Sequence, residues 1–275
     1  MLGKLIKYEL KATSRWFLPI YILALLLAPI ERFAIEYIDS NIELNPAFDH
    51  ITNTLFFIIT MAFVVALIAI AVASGLLIIY RFYKNLITNE GYLMHTLPVK
   101  TSQLIWSKAI AAILWTIASG IVIFLAIILL VIGTPGWKEF VSEISKLIST
   151  FFQYYGANAN VWLLFIEILL ALILGSLSNI FMIYASISLG QLITKHKILG
   201  AFGAYFLLNT ALQFVSSLLM LPFINKFMDS VDTVLSVPVI FSHYLVPIAL
   251  VYTAILSIIF YFTTSYVFKK KLNLE

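Results

Sequence analysis

The sequence contains no cysteine among its 275 residues, and charged residues make up only 11% of it. The lack of cysteine excludes a disulfide framework, a thiolate nucleophile, an iron–sulfur cluster and a zinc–thiolate site. This charged fraction is far below that of soluble domains. Hydrophobic residues make up 62% of the chain, and its mean hydropathy is +1.03. This composition is typical of a protein that crosses a membrane several times.

Sequence motifs for catalysis and for nucleotide or metal binding are also lacking. The four histidines are scattered and form no H-E-x-x-H pattern. There is no G-x-x-x-x-G-K-[ST] phosphate loop, and no soluble segment is long enough to hold a nucleotide-binding domain. We therefore expect no catalytic site, metal site or cofactor in this chain, and no nucleic-acid partner. If ATP drives its work, the nucleotide binds to another subunit.

Six apolar runs reach the length of about 20 residues that crosses a hydrocarbon core of about 30 Å. The first resembles a signal peptide, but no A-x-A cleavage pattern stands near Ala28, so we interpret it as a retained span. We predict an all-α polytopic membrane protein that forms one transmembrane domain over residues 1–275. The predicted spans are 16–38, 51–80, 109–132, 161–193, 198–221 and 244–268.

Lysine and arginine predict the orientation, because they concentrate in loops on the cytoplasmic side. With the N-terminus inside, thirteen of the 17 lysines and arginines fall in inner segments. The outer segments hold only four, which are Arg32, Lys138, Lys146 and Lys226. Acidic residues segregate to the outside, Glu31 among them. Both termini of this multi-pass protein are therefore expected in the cytoplasm.

Two amphipathic segments flank this array of spans. Residues 2–14, the leader, place apolar residues at helical spacing opposite Lys4, Lys7 and Lys11, as in a helix that lies in the inner membrane interface. Residues 137–152 show the same pattern on the outer side, directly after a break at Pro135 and Gly136. Either helix is explained by a capping role alone.

A third segment, "NEGYLMHTLPVKTSQLIWSK" at 89–108, is too polar for lipid and too long for a simple turn. On physical grounds it is either an inner interfacial helix or a docking site for a partner. Together with "KLIKYELKATSRWFLPIYI" near the N-terminus and "SISLGQLITKHKILGAF" before the fifth span, it resembles the six-span permeases of ABC-2-type transporters of Gram-positive bacteria. Asn89 stands where that family often has an acid.

The resemblance implies an N-terminal connecting helix over residues 1–15 and a cytoplasmic coupling helix over residues 89–98 that docks on a separate ATPase subunit. The residues that carry this docking pattern are Glu90, Gly91, Tyr92, Leu93, Thr96, Leu97 and Pro98. A second, smaller contact would involve Lys195, His196 and Lys197, and residues 222–243 would form an outer element.

The resemblance also implies partners and a location. The expected partners are an ABC ATPase that holds ATP and magnesium, a second permease subunit of the same or another kind, and the lipid bilayer. The location is the bacterial cytoplasmic membrane. Members of the class mostly export cargo such as peptides, antimicrobials or lipids, and the permease subunit itself carries no catalytic site.

Polar residues inside the spans are candidates for a translocation path. Asn209, Gln213 and Ser216 share one face of the fifth span, and Glu167 is an acid within the fourth. Helix–helix adhesion within one subunit explains the amides equally. Small residues also recur at four-residue spacing and permit close approach of helices; the pairs are Ala171/Gly175, Ser186/Gly190 and Gly200/Ala204. The alternative function is a self-contained ion-coupled carrier or membrane scaffold without an ATPase.

Overall fold

The computed structural model of the chain describes residues 1–39, 46–88, 91, 98–158, 161–193, 195–230 and 245–270. These residues form seven α-helices and no strand. The helices are α1 (Leu2–Asp39), α2 (Pro46–Leu86), α3 (Thr101–Val131), α4 (Pro135–Asn158), α5 (Val161–Gly190), α6 (Lys197–Ser230) and α7 (Val246–Lys270). All of them except α4 are long and apolar enough to cross a membrane. The predicted all-α polytopic class is confirmed.

Several helices run beyond the predicted spans, because a helix does not have to end where the hydrocarbon ends. Helix α1 has 38 residues, so it is about 57 Å long at 1.5 Å per residue. It includes the leader without a break, whereas the sequence pattern predicts a separate interfacial helix. No glycine or proline interrupts residues 4–18, and this explains the continuity. Lys4, Lys7 and Lys11 are exposed, as the amphipathic pattern predicts.

The corner between α3 and α4 follows from its residues. Gly133 has φ = +80°, a left-handed conformation that favours glycine at the end of a helix. The carbonyl of Thr134 accepts the N–H of Trp137 at 3.0 Å, and Pro135 is the first residue of α4. The predicted outer amphipathic helix at 137–152 therefore lies within a longer helix. Most of its side chains are exposed, those of Val141, Leu147 and other apolar residues included.

The chain divides into two compact units, and each boundary falls inside a helix. Unit 1 comprises residues 1–80 and 110–144. Its core joins α1, α2 and α3: Phe17, Tyr21 and Ala24 are buried together with residues of α2, and Trp115 of α3 packs against them. A second cluster around Ala28 and other small or apolar residues continues this core.

Unit 2 comprises residues 81–109 and 145–275. Helix α5 is central, because it packs against both α6 and α7. The buried side chains of this unit concentrate near the C-terminal ends of α2, α5 and α7 and the N-terminal end of α3. Helix α6 runs on to Ser230, so the predicted outer element begins inside a helix, and residues 231–243 of that element lie outside the described residues.

Candidate functional site

The structure describes the predicted docking segment, residues 89–98, only at Gly91 and Pro98. Gly91 is buried and helical, and Pro98 is exposed in a bend. The other residues that carry the pattern lie outside the described residues, namely Glu90, Tyr92, Leu93, Thr96 and Leu97. The geometry of the site is therefore that of its supports, the last turns of α2 and the first turns of α3.

Gly91 packs closely against the end of α2. Its N–H donates to the carbonyl of Thr88 at 2.6 Å, and the hydroxyl of Thr88 donates to the carbonyl of Lys84 at 2.6 Å. A Cβ placed on Gly91 would lie 2.6 Å from both the carbonyl carbon and the oxygen of Leu86. Backbone atoms cannot move aside as a side chain does, so this turn requires glycine.

Six aromatic rings connect these supports to two further helices. We call them the stem cluster: Phe82 of α2, Trp106 of α3, Phe181 and Tyr184 of α5, and Tyr261 and Phe268 of α7. Phe82 stacks on Tyr184 with ring centroids 3.8 Å apart and meets the ring of Phe268 edge-on at 5.7 Å. The stem cluster therefore fixes the end of α2 to both α5 and α7.

The second half of the stem cluster holds the beginning of α3. Trp106 contacts the ring of Phe181 edge-on at 5.3 Å and that of Tyr261 at 6.0 Å. The hydroxyl of Tyr261 also donates to the hydroxyl oxygen of Ser102 at 2.8 Å. Each such ring pair contributes about 0.5–1.5 kcal/mol beyond simple burial. The contacts tie the first two turns of α3 to α5 and α7.

Lys108, one of the thirteen lysines and arginines that the sequence places in inner segments, is only 4% exposed within α3. Asn85 of α2 is similarly buried. A buried ammonium group is costly unless its surroundings compensate its charge. Lys108 is therefore part of the packed base of unit 2.

The predicted second contact lies between α5 and α6. Lys195 and His196 are exposed and Lys197 is half-buried, while Thr194 lies outside the described residues. The carbonyl of His196 accepts the N–H of Gly200 at 2.8 Å, so His196 marks the start of α6. This placement leaves two cationic or titratable side chains accessible at the junction, as a surface contact requires.

Gly190 of α5 and Gly200 of α6 allow the two helices to approach each other closely at this junction. A Cβ on Gly190 would overlap the backbone and side chain of Ala201, and a Cβ on Gly200 would lie 2.6 Å from Cδ1 of Ile193. The sequence prediction of close packing is confirmed for Gly190 and Gly200. At Gly175 it stays a prediction, because no described atom of this chain lies within 4 Å of a Cβ placed there.

The path candidates share a helix face but differ in exposure. Asn209 and Ser216 are half-buried, whereas Gln213 is exposed. The hydroxyl of Ser216 donates to the carbonyl of Gln213 at 2.9 Å and so is occupied within α6. Glu167 is half-buried, and its Oε2 atom is buried without a hydrogen-bond partner. The structure does not bring Glu167 together with the amide face through any described contact.

One acid that the sequence analysis places among the outer charges is buried. Glu31, expected among the outer charges, is only 3% exposed on α1, where its Oε1 accepts the hydroxyl of Thr60 of α2 at 2.7 Å. Its Oε2 is buried without a partner. The next residue, Arg32, lies against the corner at Gly133. Among the described residues, Glu31 and Glu167 are the two acids of the candidate spans that have a buried oxygen without a hydrogen-bond partner.

Among the described residues, no group of three or more histidine, aspartate or glutamate side chains is placed to hold a metal ion. The described geometry is that of the ends of α2 and α3, which pack against α5 and α7 through aromatic rings. No family model matches the chain, and comparisons with curated proteins and with solved structures give no match.

Proposed function

We propose that this chain is the membrane-spanning permease subunit of an ABC-2-type transporter, driven by ATP hydrolysis in a separate subunit. The observation that carries this proposal is how the two helices on either side of segment 89–98 are packed. The segment lies between α2 and α3, and the stem cluster ties both of these helices to α5 and α7. A force that an ATPase exerts on the segment would therefore reach α2, α3, α5 and α7, which are all candidate membrane spans.

The second connection supports the same function. With six spans, the α2–α3 and α5–α6 connections lie on the same side of the membrane, and lysine bias makes this the cytoplasmic side. The exposed side chains of Lys195 and His196 would extend the surface of this chain on which the ATPase docks. Two permease subunits and two ATPases would assemble in the bacterial cytoplasmic membrane and export peptides, antimicrobials or lipids.

The test is to identify an ABC ATPase gene beside the gene of this chain, to co-express the two proteins, and to purify them through a tag on the chain. We expect the wild-type chain to retain the ATPase. Gly91→Ala should insert normally but retain less ATPase, because its Cβ would displace the segment from Leu86. Gly75→Ala is the matched control, since open space surrounds that position. Failure of the wild-type chain to retain the ATPase would contradict the proposal.

A specific observation favours the ion-coupled carrier as a second candidate. Buried carboxylates in membrane spans often mark ion pathways, and Glu31 has one oxygen without a partner. A carrier would lose ion-dependent transport on Glu31→Gln and keep it on Glu36→Gln, where the side chain is exposed. A permease would keep ATP-dependent transport in both variants, because the amide oxygen still accepts the hydroxyl of Thr60.

A further inference from the structure

A partly open cleft of about 430 Å³ lies between α6 and α7 within unit 2. Its walls are side chains between Ser216 and Leu221 of α6 and between Leu245 and Tyr252 of α7. All but Leu245 of these residues belong to the candidate spans Lys197–Pro222 and Val246–Lys270. The cleft therefore lies between the last turns of one candidate span and the first turns of the other, near the end of α6 that is distant from Lys197, and its volume falls within the usual range of ligand sites.

The side chains that line the cleft offer a ligand no free hydrogen-bond donor. Its three hydroxyl groups already donate to backbone carbonyls of α6: Ser216 and Ser217 to Gln213 at 2.9 and 2.8 Å, and Tyr252 to Leu212 at 3.3 Å. The remaining lining residues are apolar, with Met220 and Ile248 among them. A hydrogen-bond acceptor buried in this cleft would find no free donor on these side chains, and its desolvation would cost free energy, so the lining favours an apolar ligand.

We propose that this cleft binds one hydrocarbon chain of a membrane amphiphile. A bilayer supplies such chains at this depth, and the lining provides the van der Waals contacts that hold them, with Met220 adaptable in shape. The binding of a chain does not depend on the proposed function. What the cleft implies about the cargo does rest on the proposed function. If the chain is an exporter, the exported molecule would carry an alkyl chain, and a purely polar peptide would not fit the cleft.

The test uses the purified chain in phospholipid nanodiscs that contain a phospholipid with a photoactivatable diazirine on its acyl chain. After illumination, mass spectrometry of peptides locates the label. We expect label to concentrate on residues 216–221 and 245–252, and an excess of unlabelled phospholipid to compete it away. Equal labelling along all the exposed faces of α6 and α7 would overturn the proposal, because it would indicate surrounding lipid only.

Two matched variants sharpen this test. Ala249→Phe places a ring in the cleft and should lower the label there several-fold, to the level of other lipid-exposed positions. Ala211→Phe makes the same change on an exposed part of α6 outside the cleft and should leave the label unchanged. An equal loss of label in both variants would overturn the proposal. Met220→Phe provides a second filling variant if Ala249→Phe does not fold.

The outcome is separable from that of the proposed function, because labelling needs neither ATPase nor nucleotide. Concentrated label in a chain that retains no ATPase would uphold the cleft and remove the transport proposal. Uniform label in a chain that retains its ATPase would remove the cleft alone. With the ATPase retained, Ala249→Phe but not Ala211→Phe should abolish stimulation of ATP hydrolysis by added lipid-like amphiphiles.

Discussion

The rings of Phe82 and Tyr184 lie face to face, with centroids 3.8 Å apart and an interplanar angle of 10°. Both side chains are fully buried. They join the last turn of α2, directly before the proposed docking segment, to the middle of unit 2. Since lipid tails are as apolar as the side chains themselves, the stability of this contact comes from close packing and not from the exclusion of water.

Loss of this ring contact should weaken both the fold and the coupling. We expect Phe82→Ala to destabilise the protein by about 3–5 kcal/mol, the usual cost of a large cavity in a core. Phe124→Ala, at a position that is more than half exposed, should cost much less. Thermal unfolding in detergent measures the difference. If both variants melt at the same temperature, the stem cluster does not stabilise unit 2.

A polar contact holds the leader to α3. The indole N–H of Trp115 donates to the hydroxyl oxygen of Thr13 at 2.6 Å, and the ring of Trp115 stacks on Phe17 at 4.4 Å. Thr13→Val would leave the indole N–H without its acceptor, and we expect a loss of about 1–3 kcal/mol. In a double-mutant cycle with Trp115→Phe, the two losses should not add. Additive losses would show that the hydrogen bond contributes nothing.

Two glycines of α5 should respond oppositely to alanine. Gly190→Ala should destabilise the protein, because its Cβ would overlap Ala201. Gly175→Ala should be neutral or stabilising, since alanine favours a helix by about 1 kcal/mol and the space is open. Unfolding midpoints of the two variants test the pair directly. A stable Gly190→Ala protein would mean that α5 and α6 separate there at little cost.

Because the native chain has no cysteine, single cysteines report topology cleanly. On intact cells, a membrane-impermeant thiol reagent should label Ser142→Cys, which lies exposed on α4, and should spare His196→Cys, which lies exposed between α5 and α6. Both sites should react after the cells are permeabilised. Labelling of His196→Cys on intact cells would reverse the orientation that the lysine bias predicts.

Cross-linking tests the position of the amide face. If Asn209 and Gln213 line a path between two subunits, Gln213→Cys should form cross-links between copies of the chain, because this position is exposed on α6. Val251→Cys, exposed on α7, serves as the comparison. Gln213→Leu should then reduce transport without loss of assembly. Cross-links that are no more frequent at position 213 than at 251 would make the amides intra-subunit contacts.

The six spans were predictable because a chain in lipid must satisfy its backbone hydrogen bonds within each helix, and hydropathy reports that requirement. Hydropathy does not report where a helix ends in water. For this reason the leader and the first turns of α3, around Ser102, were not recognised as parts of long helices. The break before α4 was predictable, since Pro135 and the nearby glycines act locally.

The stem cluster was not predictable from one sequence. Aromatic residues such as Trp106 and Tyr261 near the ends of spans are equally typical of rings at the membrane interface, and only packing distinguishes the two. The burial of Glu31 and Lys108 was not predictable for a similar reason: charges near span ends usually reach water. Their burial depends on neighbours that are distant in sequence, such as Thr60 for Glu31.

Helix α6 differs from the other candidate spans because its most apolar stretch of 18 residues contains no buried residue. In the corresponding stretch of α5, 22% of the residues are buried. The sequence of α6 there is thus under little constraint from packing within the chain. In a scan of all single substitutions, most positions of α6 should accept any apolar residue, while those of α5 should not. A position in the middle of α6 that rejects such substitutions then identifies itself as one that contacts cargo or another subunit.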